Sequence, residues 1–310
     1  MSEARAVVLS GTGGVWIVRT VDGEQHNASM RGRLKQEGAG MKLAVGDAVT
    51  VERDGTEGAW AIMAIHPRRG VLARRAPGRA PGERVVAANV DQVLVVFAVA
   101  NPEPHVRMLD RFLVIAEGND IPVRIVLNKV ELVGGPAGAD ALAGTYERAG
   151  YHVHRTSVKE RIGLAELHDV LAGRTTALTG PSGVGKSSLV NALFPGLDLR
   201  TAEISPSVNK GRHTTVGALL VPIPDPLGGF VVDTPGLREV GMWGLPPGNL
   251  DQCFPEFRSF LGKCRFDNCS HVHEPNCAVR SAVETGKVSP ARYDSYLKLR
   301  AELADAEKVW

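Results

Sequence analysis

The chain has 310 residues, of which 44% are hydrophobic, and a formal net charge of +2 at pH 7. This composition excludes an intrinsically disordered chain, and the length predicts two or three domains. The longest apolar run, VLVVFAVA at 93–100, is far too short to cross a bilayer, so we expect a soluble cytoplasmic protein with no membrane partner.

Residues 1–75 predict a small β-barrel. Short stretches rich in β-branched residues, namely AVVLS, VWIVRT, DAVTVER and AWAIMAI, are separated by polar or glycine-rich turns. About five strands in so short a span favour a closed barrel, and OB-type barrels commonly bind RNA. The periodicity alone leaves an SH3-like barrel open. We therefore expect an OB-fold-like, RNA-binding domain here.

The basic residues concentrate near the end of this domain. Residues 1–89 contain 13 Lys and Arg against 9 Asp and Glu. Five arginines lie within HPRRGVLARRAPGR, as an arm that contacts nucleic-acid phosphates would require: Arg68, Arg69, Arg74, Arg75 and Arg79. A solvated linker is the alternative, and APGRAPGE at 76–83 is itself typical of a linker.

Strands and helices alternate from 85 to 240, which predicts an α/β domain with a sheet between helical layers. The candidate strands are DQVLVVFAVA, VRIVLN, YHVHRT, RTTALTG, GALLVPIP and FVVDT, and the candidate helices include 105–118 and 185–194. After 241 the strand pattern ends. Residues 241–310 contain a Cys/His cluster and a predicted helix that begins at Pro290 with Ser289 as its cap.

The stretch GPSGVGKSS at 180–188 predicts a phosphate-binding loop, because it fits G-x-x-x-x-G-K-[ST] between an apolar run and a helical segment. Backbone N–H groups of such a loop and the positive end of the following helix hold phosphate oxygens. Lys186 is predicted to reach the β- and γ-phosphates and Ser187 to bind Mg²⁺. A chance glycine-rich turn is the alternative. The binding residues are Gly180, Pro181, Ser182, Gly183, Val184, Gly185, Lys186, Ser187 and Ser188.

Two further segments downstream suit the same phosphates. FVVDTPG ends a strand with Asp233, a candidate for holding Mg²⁺ through water, and with Gly236, whose N–H would meet the γ-phosphate. Between the phosphate loop and FVVDTPG lies NKGRHTTVG, in which Thr214 or Thr215 could complete the Mg²⁺ shell. Such a loop would become ordered when the γ-phosphate is bound. A plain surface loop is the alternative for that segment.

Two segments that precede the phosphate loop in the chain suit a guanine base, and each lies at the end of a predicted strand. VRIVLNKVEL matches the guanine-reading pattern N-K-x-D with Glu131 in place of the aspartate. A carboxylate there accepts hydrogen bonds from guanine N1–H and N2–H₂, which adenine cannot offer. Glutamate has one methylene more than aspartate, so the two carboxylate oxygens of Glu131 are displaced relative to the base. We therefore expect a preference for guanine that is retained but weaker. The candidate residues are Asn128, Lys129, Val130 and Glu131, with Thr156, Ser157 and Val158 from YHVHRTSVKE.

Taken in chain order, NKVE, TSV, GPSGVGKS, GRHTT and DTPG resemble the five signature motifs of Ras-like GTPases with the last two placed first. With a β-barrel before them and a Cys/His segment after them, essentially the whole chain resembles the ribosome small-subunit-dependent GTPase A family. The resemblance implies a circularly permuted P-loop GTPase domain at 85–240, an N-terminal OB-type barrel and a C-terminal zinc-binding, mainly helical segment at 241–310. GTP/GDP, Mg²⁺ and one structural Zn²⁺ are the implied cofactors.

The same resemblance implies a partner and a task. Such proteins are implied to bind the bacterial 30S subunit and its 16S rRNA late in assembly, to hydrolyse GTP slowly alone and faster on the subunit, and then to leave. A monomer is expected. A P-loop ATPase is the alternative enzyme, disfavoured by NKVE and TSV. A nucleotide-dependent RNA-binding scaffold with little turnover is the other alternative, disfavoured by the complete Lys186–Ser187 pair.

The residue that would orient the attacking water is absent from its usual place. Ras-type enzymes place a glutamine just after the DxxG glycine, but here Leu237 occupies that position. A leucine cannot orient water, so intrinsic turnover should be slow. His213 is the internal candidate because an imidazole can accept a proton near neutral pH, and a group from the partner is the alternative. The candidate catalytic residues are His213, Lys186, Thr214 and Thr215.

The stretch KCRFDNCSHVHEPNCAV predicts a metal site. Three thiolates and one imidazole form a closed tetrahedral set that suits structural Zn²⁺, and unligated buried cysteines are the alternative. Spacing alone leaves His273 open as the imidazole, whereas the family pattern C-x₄-C-x-H-x₅-C selects Cys264, Cys269, His271 and Cys277. Cys253 stands apart and is typical of a core residue. The segment is small, so the ion is expected to supply much of its folding free energy.

Overall fold

The computed structural model describes residues 3–31, 42–53, 59–75, 83–197, 218–224, 226–233 and 245–308. The chain divides into two compact units. The first comprises Met1–Gln92, His168–Leu178 and Ser187–Glu239, and the second comprises Val93–Leu167, Thr179–Lys186 and Val240–Trp310. Within the described ranges, every helix is too short or too polar to cross a membrane.

Five strands of the first unit close into a barrel: β1 (Glu3–Thr12), β2 (Val15–Thr20), β3 (Gln25–Met30), β4 (Ala48–Arg53) and β5 (Trp60–Ile65). Their order is β1-β2-β3-β5-β4, and β1 pairs with β4 to close the ring. β3 and β5 run parallel, while the other neighbours are antiparallel. The crossover that places β5 beside β3 is a Greek-key connection, as in the OB fold. The structure therefore favours the OB-like barrel over an SH3-like meander.

The barrel core explains which strands the sequence revealed. Val8, Val18, Val49 and Ile62 are fully buried, one on each of four strands. β3, with the sequence QHNASM, contributes only Ala28 as a fully buried residue. Its remaining side chains are mostly polar, so apolar periodicity did not single it out.

The arginine-rich stretch after the barrel is partly strand. β6 (Val71–Arg75) and β7 (Glu83–Ala88) form a two-stranded antiparallel sheet on either side of residues 76–82. The side chains of Arg74 and Arg75, and the whole of Arg79, lie outside the described residues.

Arg68 points inward, so the prediction that it belongs to a phosphate-contacting arm is wrong. Its Nε donates to Asp47 Oδ1 at 2.7 Å, and its Nη2 donates to Asp47 Oδ2 at 2.8 Å and to the Lys42 carbonyl oxygen at 2.7 Å. Asp47 is fully buried, and a buried carboxylate requires a paired cation. The Arg68 guanidinium is therefore used in contacts with Asp47 and Lys42 of the first unit.

The remaining strands form one six-stranded sheet. They are β8 (Gln92–Ala98), β9 (Val123–Asn128), β10 (His152–Thr156), β11 (Thr175–Thr179), β12 (Leu219–Pro222) and β13 (Phe230–Asp233), in the order β10-β9-β8-β11-β13-β12. The pairs β10–β9, β8–β9 and β11–β13 are parallel, and β12 is antiparallel to β13. In such a sheet, ligands bind beyond the carboxyl ends of the strands, which is where the predicted nucleotide residues follow β9, β10 and β11.

Six α-helices are described: α1 (Val106–Glu117), α2 (Asp140–Arg148), α3 (Leu164–Leu171), α4 (Lys186–Leu193), α5 (Ala278–Glu284) and α6 (Pro290–Lys308). Short 3-10 helices span Val130–Val133, Pro136–Ala139, Pro247–Cys253 and Pro255–Phe257. α1 buries Leu109, Leu113 and Ala116, which share one face because they are three or four residues apart. α6 begins at Pro290, as the sequence predicts.

The segment after residue 245 has an apolar core that joins α1 within the second unit. Phe254, Phe257 and Tyr296 are fully buried and stack or meet edge to face, with ring centroids 5.0–5.4 Å apart. Val114 of α1 belongs to the same cluster. Aromatic packing therefore gives this small segment a core of its own. The expectation that a metal ion supplies much of its folding free energy stays a prediction.

Candidate functional site

The phosphate loop requires glycine at two positions. Gly180 has φ +134°, and a Cβ there would lie 2.0 Å from the Val96 carbonyl oxygen. Gly185 has φ +95°, and a Cβ there would lie 2.6 Å from Asn128 Nδ2. Any side chain would be strained and would clash with backbone or with a buried amide. The loop therefore packs directly against the end of β8 and against Asn128.

Lys186 is the first residue of α4, and its ammonium folds back over the loop. Nζ donates to the Gly180 carbonyl oxygen at 2.8 Å and to the Pro181 carbonyl oxygen at 2.5 Å. A cation at a helix N-terminus is disfavoured by the helix dipole, whereas an anion is favoured there. This placement fits a site whose ligand carries phosphate charge. Of the other loop residues, Ser182, Gly183 and Ser188 are exposed, Val184 is buried, and Ser187 is half-buried.

Asn128 connects three of the predicted motifs. Its side chain is buried, with Nδ2 donating to the Val184 carbonyl oxygen at 2.9 Å and Oδ1 accepting from Thr156 Oγ1 at 3.0 Å. The ends of β9 and β10 are thereby tied to the phosphate loop. The sequence associates Asn128 with the base, whereas the geometry shows that its amide also holds the loop.

The residues after β10 are fixed by local contacts. Ser157 is fully buried, and its Oγ accepts from the Glu160 backbone N–H at 3.0 Å. Ser157 also pairs with Ile162 in an isolated β-bridge. Val158 follows and is half-buried. This turn therefore presents a defined edge beside the end of β9, with which β10 pairs in parallel.

Lys129 adds a contact that sequence reasoning missed. Its backbone is left-handed, with φ +66°. Nζ donates to the Gly183 carbonyl oxygen at 2.7 Å and to the carbonyl oxygen of Asn101, in the loop after β8. The dipeptide Asn101-Pro102 directly after a buried apolar strand was the available signal.

Glu131 carries a buried oxygen that suits a guanine. It lies in the 3-10 helix Val130–Val133, whose first residue is fully buried. Its Oε2 is buried and has no hydrogen-bond partner among the described residues. An unsatisfied buried acceptor costs about 1–3 kcal/mol, and the N–H groups of a guanine edge would satisfy it. This residue set therefore fits a guanine nucleotide.

We expect Glu131→Ala to weaken GTP binding by about 10- to 100-fold while changing ATP binding little, because only guanine donates to this carboxylate. Competition of GTP and of ATP against a fluorescent guanine nucleotide measures both affinities. Glu284→Ala, which removes an exposed glutamate of α5, is the control. An equal loss for the two nucleotides would contradict the base-reading role.

Several predicted residues lie outside the described part of the chain. His213, Thr214, Thr215 and Gly236 are among them. Asp233 is the last residue of β13, and only its backbone is described. Their roles stay predictions.

The structure brings the four predicted metal ligands together, with their ligand atoms within 4.8 Å of one another. His271 Nδ1 lies 3.4 Å from Cys277 Sγ and 3.6 Å from Cys264 Sγ, and these two sulfurs are 3.9 Å apart. A tetrahedral ion with Zn–S of about 2.3 Å and Zn–N of about 2.0 Å places neighbouring ligand atoms about 3.5–3.8 Å apart. The cluster, which includes Cys269, therefore fits Zn²⁺.

The histidine in the cluster is His271 and not His273. His271 is buried in a left-handed conformation with φ +60°, whereas His273 is exposed. Two tyrosines of α6 hold this backbone, since Tyr293 donates to the His271 carbonyl oxygen at 2.7 Å and Tyr296 to the Ser270 carbonyl oxygen at 2.8 Å. The ligand loop is thereby attached to α6.

Cys253 does not belong to this cluster. Its side chain is buried, and its Sγ contacts the Asn249 carbonyl oxygen at 3.6 Å. Burial raises the pKa of the Cys253 thiol to about 12, and the cluster of possible metal ligands among the described residues does not include it. Its expected role as a core residue agrees with these surroundings.

Comparisons with known proteins extend over nearly the whole chain. Residues 65–243 match the family described as RsgA GTPase. The chain is 62% identical over 304 residues to the small ribosomal subunit biogenesis GTPase RsgA of Gemmatimonas aurantiaca, covering 97% of this chain and 98% of that protein. It is 42% identical over 267 residues to the protein of the same name from Azotobacter vinelandii, covering 86% and 76%.

Two solved structures share the fold. The crystal structure of YjeQ from Thermotoga maritima has a TM-score of 0.80 at 33% identity and covers 98% of this chain and 99% of its own. The crystal structure of YloQ, a circularly permuted GTPase, has a TM-score of 0.75 at 28% identity, covering 98% and 96%. The predicted resemblance, the permuted α/β fold and the expected GTP hydrolysis are confirmed. This chain belongs to the RsgA family of circularly permuted GTPases.

Proposed function

We propose that this GTPase binds the small (30S) ribosomal subunit and hydrolyses GTP late in its assembly, so that hydrolysis times its release. The partner is inferred from relatives named small ribosomal subunit biogenesis GTPase. The main support for the nucleotide site is the pair of hydrogen bonds made by Asn128. Its side chain bonds to Val184 of the phosphate loop and to Thr156 at the end of β10. Motifs far apart in sequence thereby meet at one place.

Within this site each group of residues has a proposed task. Lys129, Glu131 and the Thr156–Val158 turn hold the base, and the phosphate loop with Lys186 holds the phosphates. Ser187 and Asp233 would hold Mg²⁺, with Thr214 or Thr215, and the ion when bound neutralises charge on the phosphate oxygens. His213 is the proposed orienting group for water, since Leu237 occupies the usual glutamine position. A group supplied by the ribosomal subunit is the alternative.

The Cys/His cluster is proposed to hold one structural Zn²⁺. Cys264, Cys269, His271 and Cys277 supply four protein ligands, which leaves no open position for catalysis. The ion would join the ligand loop to the start of α5, because the Cys277 sulfur also accepts from the Arg280 backbone N–H at 3.5 Å.

The barrel is proposed to contact 16S rRNA through β2 and β3. OB folds bind oligonucleotides on this face. Val15 and Ile17 are exposed large apolar residues of β2, and the β3 residues that pair with them are Ser29 and Asn27. A surface that mixes apolar and hydrogen-bonding side chains suits unpaired bases.

Each of the three domains predicted from the sequence has a proposed task. We assign residues 1–75 to RNA binding, 85–240 to the permuted GTPase domain and 241–310 to the zinc-binding domain. The chain is proposed to act as a monomer in the cytoplasm.

The decisive experiment measures multiple-turnover phosphate release from GTP against increasing purified 30S subunits. We expect turnover to rise at least about tenfold, because a partner supplies or orders the missing catalytic group. Purified 50S subunits are the control. Binding to 30S without any rise in turnover would favour the RNA-binding scaffold, and equal hydrolysis of ATP would favour the ATPase.

A further inference from the structure

We propose that Asp251 is a positioning residue of the zinc site, which orients His271 so that Nδ1 is the ligand atom and Nε2 carries the proton. Asp251 lies outside the four ligands and thirteen residues before the first of them in sequence. The inference rests on the proposed zinc site, and the experiment below separates its failure from a failure of that proposal.

The two ring nitrogens of His271 have different partners. Nδ1 faces the sulfurs of Cys277 and Cys264 at 3.4 and 3.6 Å, and Nε2 lies 3.3 Å from Asp251 Oδ2. A neutral imidazole has one donor nitrogen and one acceptor nitrogen, and the atom that binds a metal must be the unprotonated one. With the proton on Nε2, the carboxylate is the acceptor that stabilises this tautomer.

The carboxylate is held in place independently of the ligand loop. Asp251 lies in the 3-10 helix Pro247–Cys253, and its Oδ1 accepts from the Gln252 backbone N–H at 2.9 Å. Its side chain is only 17% exposed and that of His271 only 4%. One carboxylate oxygen is therefore anchored by the backbone N–H of the next residue, and the other faces the imidazole with little competition from water.

The backbone of His271 is fixed by other contacts. Tyr293 donates to its carbonyl oxygen, and Glu274 accepts from the backbone N–H groups of Ser270 and Val272 at 2.7 and 3.0 Å. Removing the Asp251 carboxylate should therefore allow the His271 ring to rotate, while the backbone of the ligand loop keeps its path. The consequence would be a weaker metal site in a folded protein.

The test uses the full-length protein and three variants: Asp251→Ala, Asp251→Asn and Asp267→Asn. Asp267 is an exposed aspartate between Cys264 and Cys269, so Asp267→Asn removes the same charge close to the ion without touching a ligand. Zinc affinity is measured by competition with a chromophoric chelator. Thermal unfolding is recorded with saturating zinc and after zinc removal, and the ligand-field bands of cobalt(II)-loaded protein report the geometry.

We expect Asp251→Ala to lose about 10- to 100-fold in zinc affinity, the usual cost of removing such a partner, and Asp267→Asn to stay within about twofold of the wild type. Asp251→Asn should lie between them, because its amide oxygen still accepts a hydrogen bond but carries no charge. If Asp251→Ala does not fold, the Asp251→Asn and Asp267→Asn pair decides the comparison.

Two results would overturn the inference while leaving the zinc site intact. One is an equal zinc affinity for the Asp251 variants and Asp267→Asn. The other is a loss of thermal stability of equal size with and without zinc at unchanged affinity, which would give Asp251 a purely structural role. A wild-type protein that binds no zinc at a one-to-one ratio would instead refute the zinc proposal itself.

Discussion

Replacing Lys186 with alanine is expected to lower kcat/KM for GTP hydrolysis by about 10²- to 10³-fold, the usual effect of removing one group that stabilises transition-state charge. In the structure its ammonium lies over the phosphate loop at the start of α4, 2.8 Å from the Gly180 carbonyl oxygen. Negative charge on the β- and γ-phosphate oxygens would be met by this cation. Phosphate release at saturating Mg²⁺ measures the effect.

Lys298→Ala provides the control for this prediction. Lys298 is exposed on α6 and pairs with Asp294 one turn away. Its replacement therefore removes the same charge as Lys186→Ala at a position outside the nucleotide site. Ser187→Ala, at the next position, is expected to abolish Mg²⁺-dependent turnover while circular dichroism stays unchanged. Turnover of Lys186→Ala within about threefold of the wild type would contradict the phosphate-binding assignment.

A second large effect is expected at Arg292, a fully buried arginine of α6. Its Nη1 donates to Asp110 Oδ1 of α1 at 2.6 Å, and its Nε donates to Glu256 Oε1 at 2.7 Å. Its guanidinium carbon lies 4.6 Å from the centroid of the Phe254 ring. Burial raises the pKa of Tyr146 well above its usual value, so Tyr146 stays a donor, and it bonds to Asp110 at 2.9 Å.

Arg292→Ala is expected to destabilise the protein by about 3–5 kcal/mol, because it leaves two buried carboxylates without their cation. A combined change to Arg292→Met, Asp110→Asn and Glu256→Gln should recover part of this loss, because it leaves no buried charge without a partner. Urea unfolding followed by circular dichroism, with hydrogen exchange of the α6 amides, measures the effect.

Arg111→Ala is the matched control for Arg292. Arg111 of α1 pairs with Glu302 of α6, so it links the same two helices, but the side chains are 34% and 45% exposed. An exposed ion pair contributes about 0–1 kcal/mol. A loss of stability for Arg292→Ala no greater than that for Arg111→Ala would refute the buried network as a major link between the helices.

Much of the fold was predictable because its elements carry local signals. β9 has the bounds of the apolar stretch VRIVLN, and α6 begins at the proline that follows its predicted cap. β3 was missed because one buried alanine gives almost no apolar periodicity. α2, α3 and α5 were not singled out, because each is under ten residues long. α4 is equally short, but the phosphate-loop motif marks its start.

The residues of the candidate site likewise differ in whether a local sequence pattern predicts them. The phosphate loop, NKVE and the cysteine spacing are patterns of neighbouring residues, so their chemistry is visible in the chain. The amide of Asn128 holding Val184, and the contact of Lys129 with Asn101, depend on where separate loops meet. Charge clustering indicated an arm that included Arg68, but a buried aspartate 21 residues away holds that side chain instead.

The family motifs, the predicted guanine-reading carboxylate and the set of metal-binding residue types are all readable from the sequence, because each depends on chemistry within a short span. Contacts between side chains far apart in the chain became visible only in the folded structure. It placed Arg292 against Asp110, 182 residues away, and Asp251 beside the ring of His271. Such pairs have no signal in sequence, since burial and chain topology set the partner of a charged group and local spacing does not.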